Sequence, residues 1–399
     1  MDVEDIGDAV TMGRRLRRIR LARRKTQQVV ADRAAISKGY LSALERGERT
    51  LDSLRLIVAL ARALEIAPSE LTAIPIPAPA NGETDAALHA VRHALMGVSR
   101  HLPGGRVVPV EALRARVEAV LTAGRQCRQA AVGDALPDLI ADLHTTLAAG
   151  RDVAELLELG VLLHVQSAQH WLREADAPLD LRRQNVMLTR QLAERRDTPT
   201  VLGLAAYGAM RVMLAAGTFD LAEADLAGVE VPTNILETTQ LAGMLALSHS
   251  LVAAADSRPT DVDAALDYAD ELARRTGEGI AYGLGFGPTN VGLWRMDAML
   301  EIGDYERVAT LAESLNPEAH PYKSRRSAYW SGYGRSLARL RGRHVDAVMA
   351  LLRAEAIHPH RVHRDPLARN AIAGLVERSR ADAIGRDLRG LASRAGLNV

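Results

Sequence analysis

The chain has almost no cysteine, few aromatic rings and hardly any lysine. Cys127 is the only cysteine among 399 residues, which excludes an intrachain disulfide and a thiolate metal cage. Aromatic residues make up 3% of the chain, and lysine occurs only at positions 25, 38 and 323, so arginine supplies nearly all the positive charge. A composition dominated by Ala, Leu and Arg favours helix throughout. No apolar run reaches the roughly 18 residues that a membrane span needs. The stretch MDVEDIGDAV is acidic and lacks the apolar centre of a signal peptide. The expectation is a cytoplasmic protein with no membrane partner. A P-loop, a G-x-G-x-x-G after a strand, an HExxH pair and a nucleophile elbow are all missing. No enzymatic role, cofactor or metal site is therefore expected.

The length allows two or three domains with ample core. Overall charge is +1, but it is unevenly placed. Residues 12–64 carry fourteen Arg or Lys against four Asp or Glu, a balance of +10 that leaves −9 for the rest. A basic head on an acidic body is the footprint of a nucleic-acid partner. A solvated basic helix over Arg14–Lys25 would explain the arginines alone, but not the pattern that follows them.

That pattern is TQQVVADRAAISKGYLSALERG, from Thr26 to Gly47. Thr26 is a good N-cap, and Val29, Val30, Ala31 and Ala34 give a first helix a small apolar face. Ser37 is a second N-cap, with Ile36 before it and Leu41 after it in the places of a hydrophobic staple. Leu41 and Leu44 share the core side of the second helix. Its other side carries Lys38, Gly39, Ser42, Ala43 and Arg46, which are short or basic and leave room for a major groove that admits one α-helix.

These residues carry a resemblance. The run LRRIRLARR, then Thr26-Gln27-Gln28, Ser37-Lys38-Gly39-Tyr40-Leu41-Ser42 and Leu44-Glu45-Arg46-Gly47 make residues 13–71 similar to the repressor-type (Xre/lambda-repressor-like) helix-turn-helix family. The resemblance implies a five-helix domain over 12–72 that binds an operator in double-stranded DNA as a homodimer. It implies a phosphate contact at Gln27, base-facing positions at Lys38, Gly39 and Ala43, and a buried pair between Arg20 and Glu45. Arg14, Arg17, Ser37, Tyr40, Ser42 and Arg46 complete the expected DNA surface. Ala35 departs from the pattern where the turn usually has glycine. Gly39 is a second departure, costing about 1 kcal/mol of helix propensity.

Alternate prolines in Ile74-Pro75-Ile76-Pro77-Ala78-Pro79 cannot continue a helix. They predict a semi-rigid linker over 73–84 that separates head from body. From 85 to 399 the pattern is helical, and phrases with a Gly or Asp turn recur about every forty residues. They centre on Asp176, Gly217, Gly303 and Gly342, with a remodelled turn at Ser257–Thr260. Helical hairpins that cannot bury their faces alone stack into a solenoid. The phrases resemble tetratricopeptide repeats. With Gly285-Phe286-Gly287-Pro288-Thr289-Asn290-Val291, the chain resembles actinobacterial regulators with tetratricopeptide-like bodies and, in architecture only, pheromone-binding quorum-sensing regulators.

Within the body, Asn290 and Trp294 share a helix face beside Arg295, a set able to grip a peptide or a polar ligand, or else to tie a loop and fill a core. Gln166 and His170 are a similar pair, among His164, Gln169 and Trp171. Tyr329, Trp330 and Tyr333 suit core packing. His358, His360 and His363 lack helical metal spacing. The sequence thus predicts an all-α protein: a transcriptional regulator whose repeat body dimerises and senses a small molecule or peptide. The other reading is an interaction scaffold whose acidic body binds a protein while the head locates it on DNA or is inactive.

Overall fold

The computed structural model describes residues 12–49, 51, 53–66, 68–72, 82–256, 258–378 and 385–397. The regular structure of these residues is helical, as expected, with one isolated β-bridge between Gly279 and Phe286.

The head comprises α1 (Met12–Ala22), α2 (Gln27–Arg33), α3 (Lys38–Glu45), α4 (Leu54–Leu64) and α5 (Pro68–Thr72). Both caps read from the sequence form. Thr26 Oγ1 accepts the Val29 N–H at 3.3 Å, and Ser37 Oγ accepts that of Tyr40 at 3.1 Å. Leu16, Val30, Leu41, Leu44 and Leu60 are fully buried, and Ile36 packs against that core as the staple requires. Gly13 lets α1 lie directly on α3, because a Cβ there would meet the Leu44 carbonyl oxygen at 2.0 Å. Ala35 adopts φ 53°. The turn therefore does need the left-handed region, at a cost to alanine of about 1 kcal/mol.

The Pro-rich part of the expected linker lies outside the described residues. Residues 82–84, also assigned to that linker, already begin α6 (Gly82–Ser99). The body continues with α7 (Val110–Arg125), α8 (Gln129–Ala148) and α9 (Val153–Leu163). A π turn over His164–Ala168 joins α9 without a break to α10 (Gln169–Glu174). Then come α11 (Leu179–Arg196), α12 (Pro199–Ala216), α13 (Phe219–Ala227), α14 (Leu236–Ala255) and α15 (Pro259–Thr276). The last are α16 (Pro288–Ile302), α17 (Tyr305–Ser314), α18 (Lys323–Leu337), α19 (His344–Ile357), α20 (Pro359–Arg364), α21 (Pro366–Arg378) and α22 (Gly385–Arg394).

The turns that the sequence marks are where the chain reverses. Gly217, Gly303 and Gly342 have φ of 72°, 86° and 80° and close the α12–α13, α16–α17 and α18–α19 hairpins; Asp176, at φ 55°, separates α10 from α11. The first helices of successive hairpins stack, α12 on α14, α14 on α16 and α16 on α18. Each second helix also packs on the first helix of the next hairpin, so a face exposed by one hairpin is buried by its neighbour. The stack curls until α20 reaches α10, where Arg364 Nη1 donates to the Ala175 carbonyl at 2.9 Å. Among the described helices α12 alone is long and apolar enough to cross a membrane, and half of it is buried within this stack.

The head packs onto the body across the boundary that composition marks. Val58 of α4 joins the main body core, seated against Gly217, where any Cβ would come within 2.5 Å of its Cγ1. Arg62 lies 5.7 Å from the Phe219 ring centroid and donates to the Gly217 carbonyl. A second anchor is Asn370 of α21, 1% exposed. Its Oδ1 accepts the Met12 N–H at 3.2 Å, and its Nδ2 donates to the Leu51 carbonyl at 2.9 Å.

Candidate nucleic-acid interface

The end of α1, the start of α2 and the outer side of α3 enclose a cleft of about 690 Å³, lined by head residues alone. Arg17, Arg20, Arg24, Lys25, Lys38 and Arg46 reach it, with Glu45 the single carboxylate on its wall. Glu45 is compensated from within. Arg20 Nε and Nη2 donate to its two oxygens at 2.5 and 2.8 Å, and Gln27 Nε2 adds a third bond at 2.8 Å. Burial opposes its ionisation, but the bonds from Arg20 and Gln27 outweigh that and hold its carboxyl below the usual range. The Glu45 bond in turn raises Arg20. This pair locks α1 to α3. Lys25 turns to Glu65 and the Ala63 carbonyl, both at 2.9 Å, so Arg17, Arg24 and Lys38 are the cleft cations left facing solvent.

The expected DNA surface is only partly assembled around this cleft. Arg17, Lys38 and Arg46 are exposed on it. Arg46 is held by Glu48, at 2.6 and 2.7 Å, and by Ser42 Oγ. Gln27 is half-buried and directs its amide at Glu45, so its side chain positions the core pair while its backbone opens α2. Ser37 is exposed and engaged as the cap of α3, Tyr40 is half-buried in the first turn, and Ala43 is half-buried further along. Gly39 has open space where a Cβ would stand, so α3 presents bare backbone at that position. Arg14 lies apart, facing Glu377 of the body at 3.7 Å. Arg24 was missed as a cleft residue: it lies past the end of α1 in the turn to α2, at φ 51°, where helical spacing does not place it.

The body residues singled out for ligand contact do not form one site. Asn290 and Trp294 are each 2% exposed. Asn290 Nδ2 donates to the Gly285 carbonyl, and its Oδ1 accepts from Arg325 Nε at 3.1 Å. Phe286 inserts against Gly243, so Gly285–Gly287 form a packing loop that Asn290, in the first turn of α16, ties down. Trp294 is core, with Arg211 and Arg325 over its ring at 5.0 and 5.6 Å. Arg295 faces Asp267 of α15 at 3.6 Å. Gln166 lies under Gly283, whereas His170 lines a small cleft with Gln169 and three arginines.

The other rings are structural. His164 Nδ1 lies 2.7 Å from Asn185 Oδ1 and its Nε2 lies 2.9 Å from His144 Nε2. Tyr329 donates to the Ala312 carbonyl, and Tyr333 and Trp330 pack beside it. His358 and His363 each face a glutamate, Glu174 and Glu355. No cluster able to hold a metal ion occurs among the described residues.

The family comparison agrees with this geometry. A family model described as a helix-turn-helix domain matches residues 11–74, the segment that contains α1 to α5 and the whole basic cleft. No curated protein and no solved structure matches the chain. The N-terminal unit is thus a helix-turn-helix domain of the DNA-binding kind.

Proposed function

We infer that the protein is a sequence-specific transcriptional regulator with a repressor-type (Xre-like) head and a tetratricopeptide-like body, and that it acts without catalysis. The observation that carries this reading is the cleft whose one carboxylate is already satisfied, leaving Arg17, Arg24 and Lys38 for phosphates. The amino ends of α2 and α3 favour anions in the same place. Gly39 presents backbone to the groove floor, and Ser42 and Ala43 follow on that side. In this reading the body forms a homodimer that sets two heads on a pseudo-palindromic operator, and an effector shifts operator affinity by preferring one arrangement.

Fluorescence anisotropy of the full chain on DNA from upstream of its own gene tests this at about 50 and 200 mM salt. The expected result is salt-steep binding that survives unrelated competitor DNA. Lys38→Ala should weaken it about tenfold or more while the circular dichroism spectrum stays unchanged. Loss of all binding to the competitor would reduce the head to a non-specific cation. No binding at either salt would favour the scaffold reading, with the acidic body as the working part.

A further inference from the structure

Five arginines from five helices converge inside the curl of the body: Arg173 of α10, Arg182 of α11, Arg211 of α12, Arg325 of α18 and Arg361 of α20. Two carboxylates answer them at short range. Glu174, 8% exposed, lies 3.3 Å from Arg173 and 3.8 Å from Arg361, and Asp297 lies 3.4 Å from Arg325. Asp176 reaches Arg182 only through space and is shared with Arg364 and Arg369. Asp297 likewise reaches Arg211 only through space, and among the described residues no ion pair is formed by Arg182 or Arg211. Burial, reinforced by neighbouring arginines, pushes Arg173 and Arg182 down to about 10. Like charges held together in a partly desolvated wall cost stability, and perturbed groups of this kind cluster at functional sites.

Arg173, Arg182 and Arg211 line a narrow cleft with Gln169, His170 and Tyr207, with space of about 20 Å³ at its centre, room for one water-sized atom. Its wall is rich in donors and poor in acceptors. Gln169 is 7% exposed, and its Oε1 accepts from Asn185 at 3.1 Å; its Nε2 has no acceptor, and neither has Arg182 Nε. His170 is exposed at the edge of this cleft. The π turn directly precedes Gln169, and such turns recur at functional sites.

We propose that this cleft binds the phosphoryl group of a small phosphorylated effector, held by Arg173, Arg182 and Arg211 with Gln169 as a neutral donor. Guanidinium forks match phosphate oxygens in pairs, and a dianion answers the uncompensated charge better than a monocarboxylate does. The site rests on the reading of the body as a sensor. Arg211 stands on α12, which ends at the Gly217 anchor, and α20, which carries Arg361, leads into α21, which carries the Asn370 anchor.

Calorimetric titration of the full chain with inorganic pyrophosphate at fixed ionic strength, without DNA, tests the site independently of operator binding. Saturable binding that falls at least tenfold in Arg182→Gln and in Arg211→Gln, and persists in Arg24→Gln, is the expected result. Removing an uncompensated arginine should leave the apo protein folded, which circular dichroism checks, and Arg182→Lys gives an intermediate loss if the charge is what binds. Unchanged affinity in both folded glutamine variants overturns the proposal. So does loss confined to Arg24→Gln, which places the anion on the head. Equal binding of citrate overturns the phosphoryl assignment, and no saturable binding overturns the site.

Discussion

Glu301, at the end of α16, caps the first turn of α4 from across the head–body boundary: its Oε2 accepts the Leu54 N–H at 2.6 Å. Burial pushes its carboxyl up to about 7, and Asp297 adds to that, while Arg335 and the backbone N–H groups of Leu54 and Arg55 oppose it. A carboxyl raised in the folded state contributes stability that is complete below its unfolded value and is lost as pH rises through the folded one. Glu301→Gln keeps an acceptor but cannot ionise. Its melting temperature relative to the native chain should therefore rise between pH 5 and pH 8, on either side of the Glu301 value. A difference that stays flat or falls would refute the assignment.

Docking of the head should be separable from its folding. Val58 faces the body core, not the head core, so Val58→Asp places an unpaired carboxylate in the joint alone, at a cost of several kcal/mol. Gly217→Ala weakens the same joint because its Cβ would stand 2.5 Å from Val58 Cγ1, and separately costs the α12–α13 turn about 1 kcal/mol at its φ of 72°. Hydrogen exchange should show the Leu54 and Arg55 amides deprotected in both variants while α1–α3 stay protected. Equal loss of protection across α1–α4 would mean that the head cannot hold its fold undocked.

Ala35→Gly should stabilise the head by about 1 kcal/mol, because it relieves a left-handed alanine. Slower exchange of the amides in α2 and α3 is the measurement, and no change would mean that unfolded-chain entropy offsets the relief.

Glu45→Ala leaves Arg20 buried without its partner and should cost about 3–5 kcal/mol. Loss of DNA binding should then follow loss of head structure, as seen by exchange in α1 and α3. The lowered Glu45 carboxyl gives the native head stability that is complete above the ordinary carboxylate value and is lost as pH falls from there through its lower folded value. An acid-driven loss of protection is expected for α1–α3 that begins near the unperturbed carboxylate value, about pH 4, and completes below it.

The sequence by itself determined the local structure. Two hydroxyl caps, a staple and the Leu41–Leu44 spacing specify α2 and α3 from within a few residues, and the Gly and Asp turns specify where the hairpins reverse. These signals act over one or two turns of helix, so they survive without knowledge of the fold. The Arg20–Glu45 pair was legible because the resemblance to repressors implied it.

Tertiary structure alone decided what each polar side chain faces. Asn290 and Trp294 share a helix face as expected, yet that face lies under α18 and the Gly285 loop, so they became ties and core. The arginine cluster comes from helices as far apart in the chain as Arg173 and Arg361. No periodicity links them, and only the curl of the hairpin stack brings them together. The docking of α4 is equally silent in sequence, because an apolar Val58 reads the same whether it faces its own core or another's.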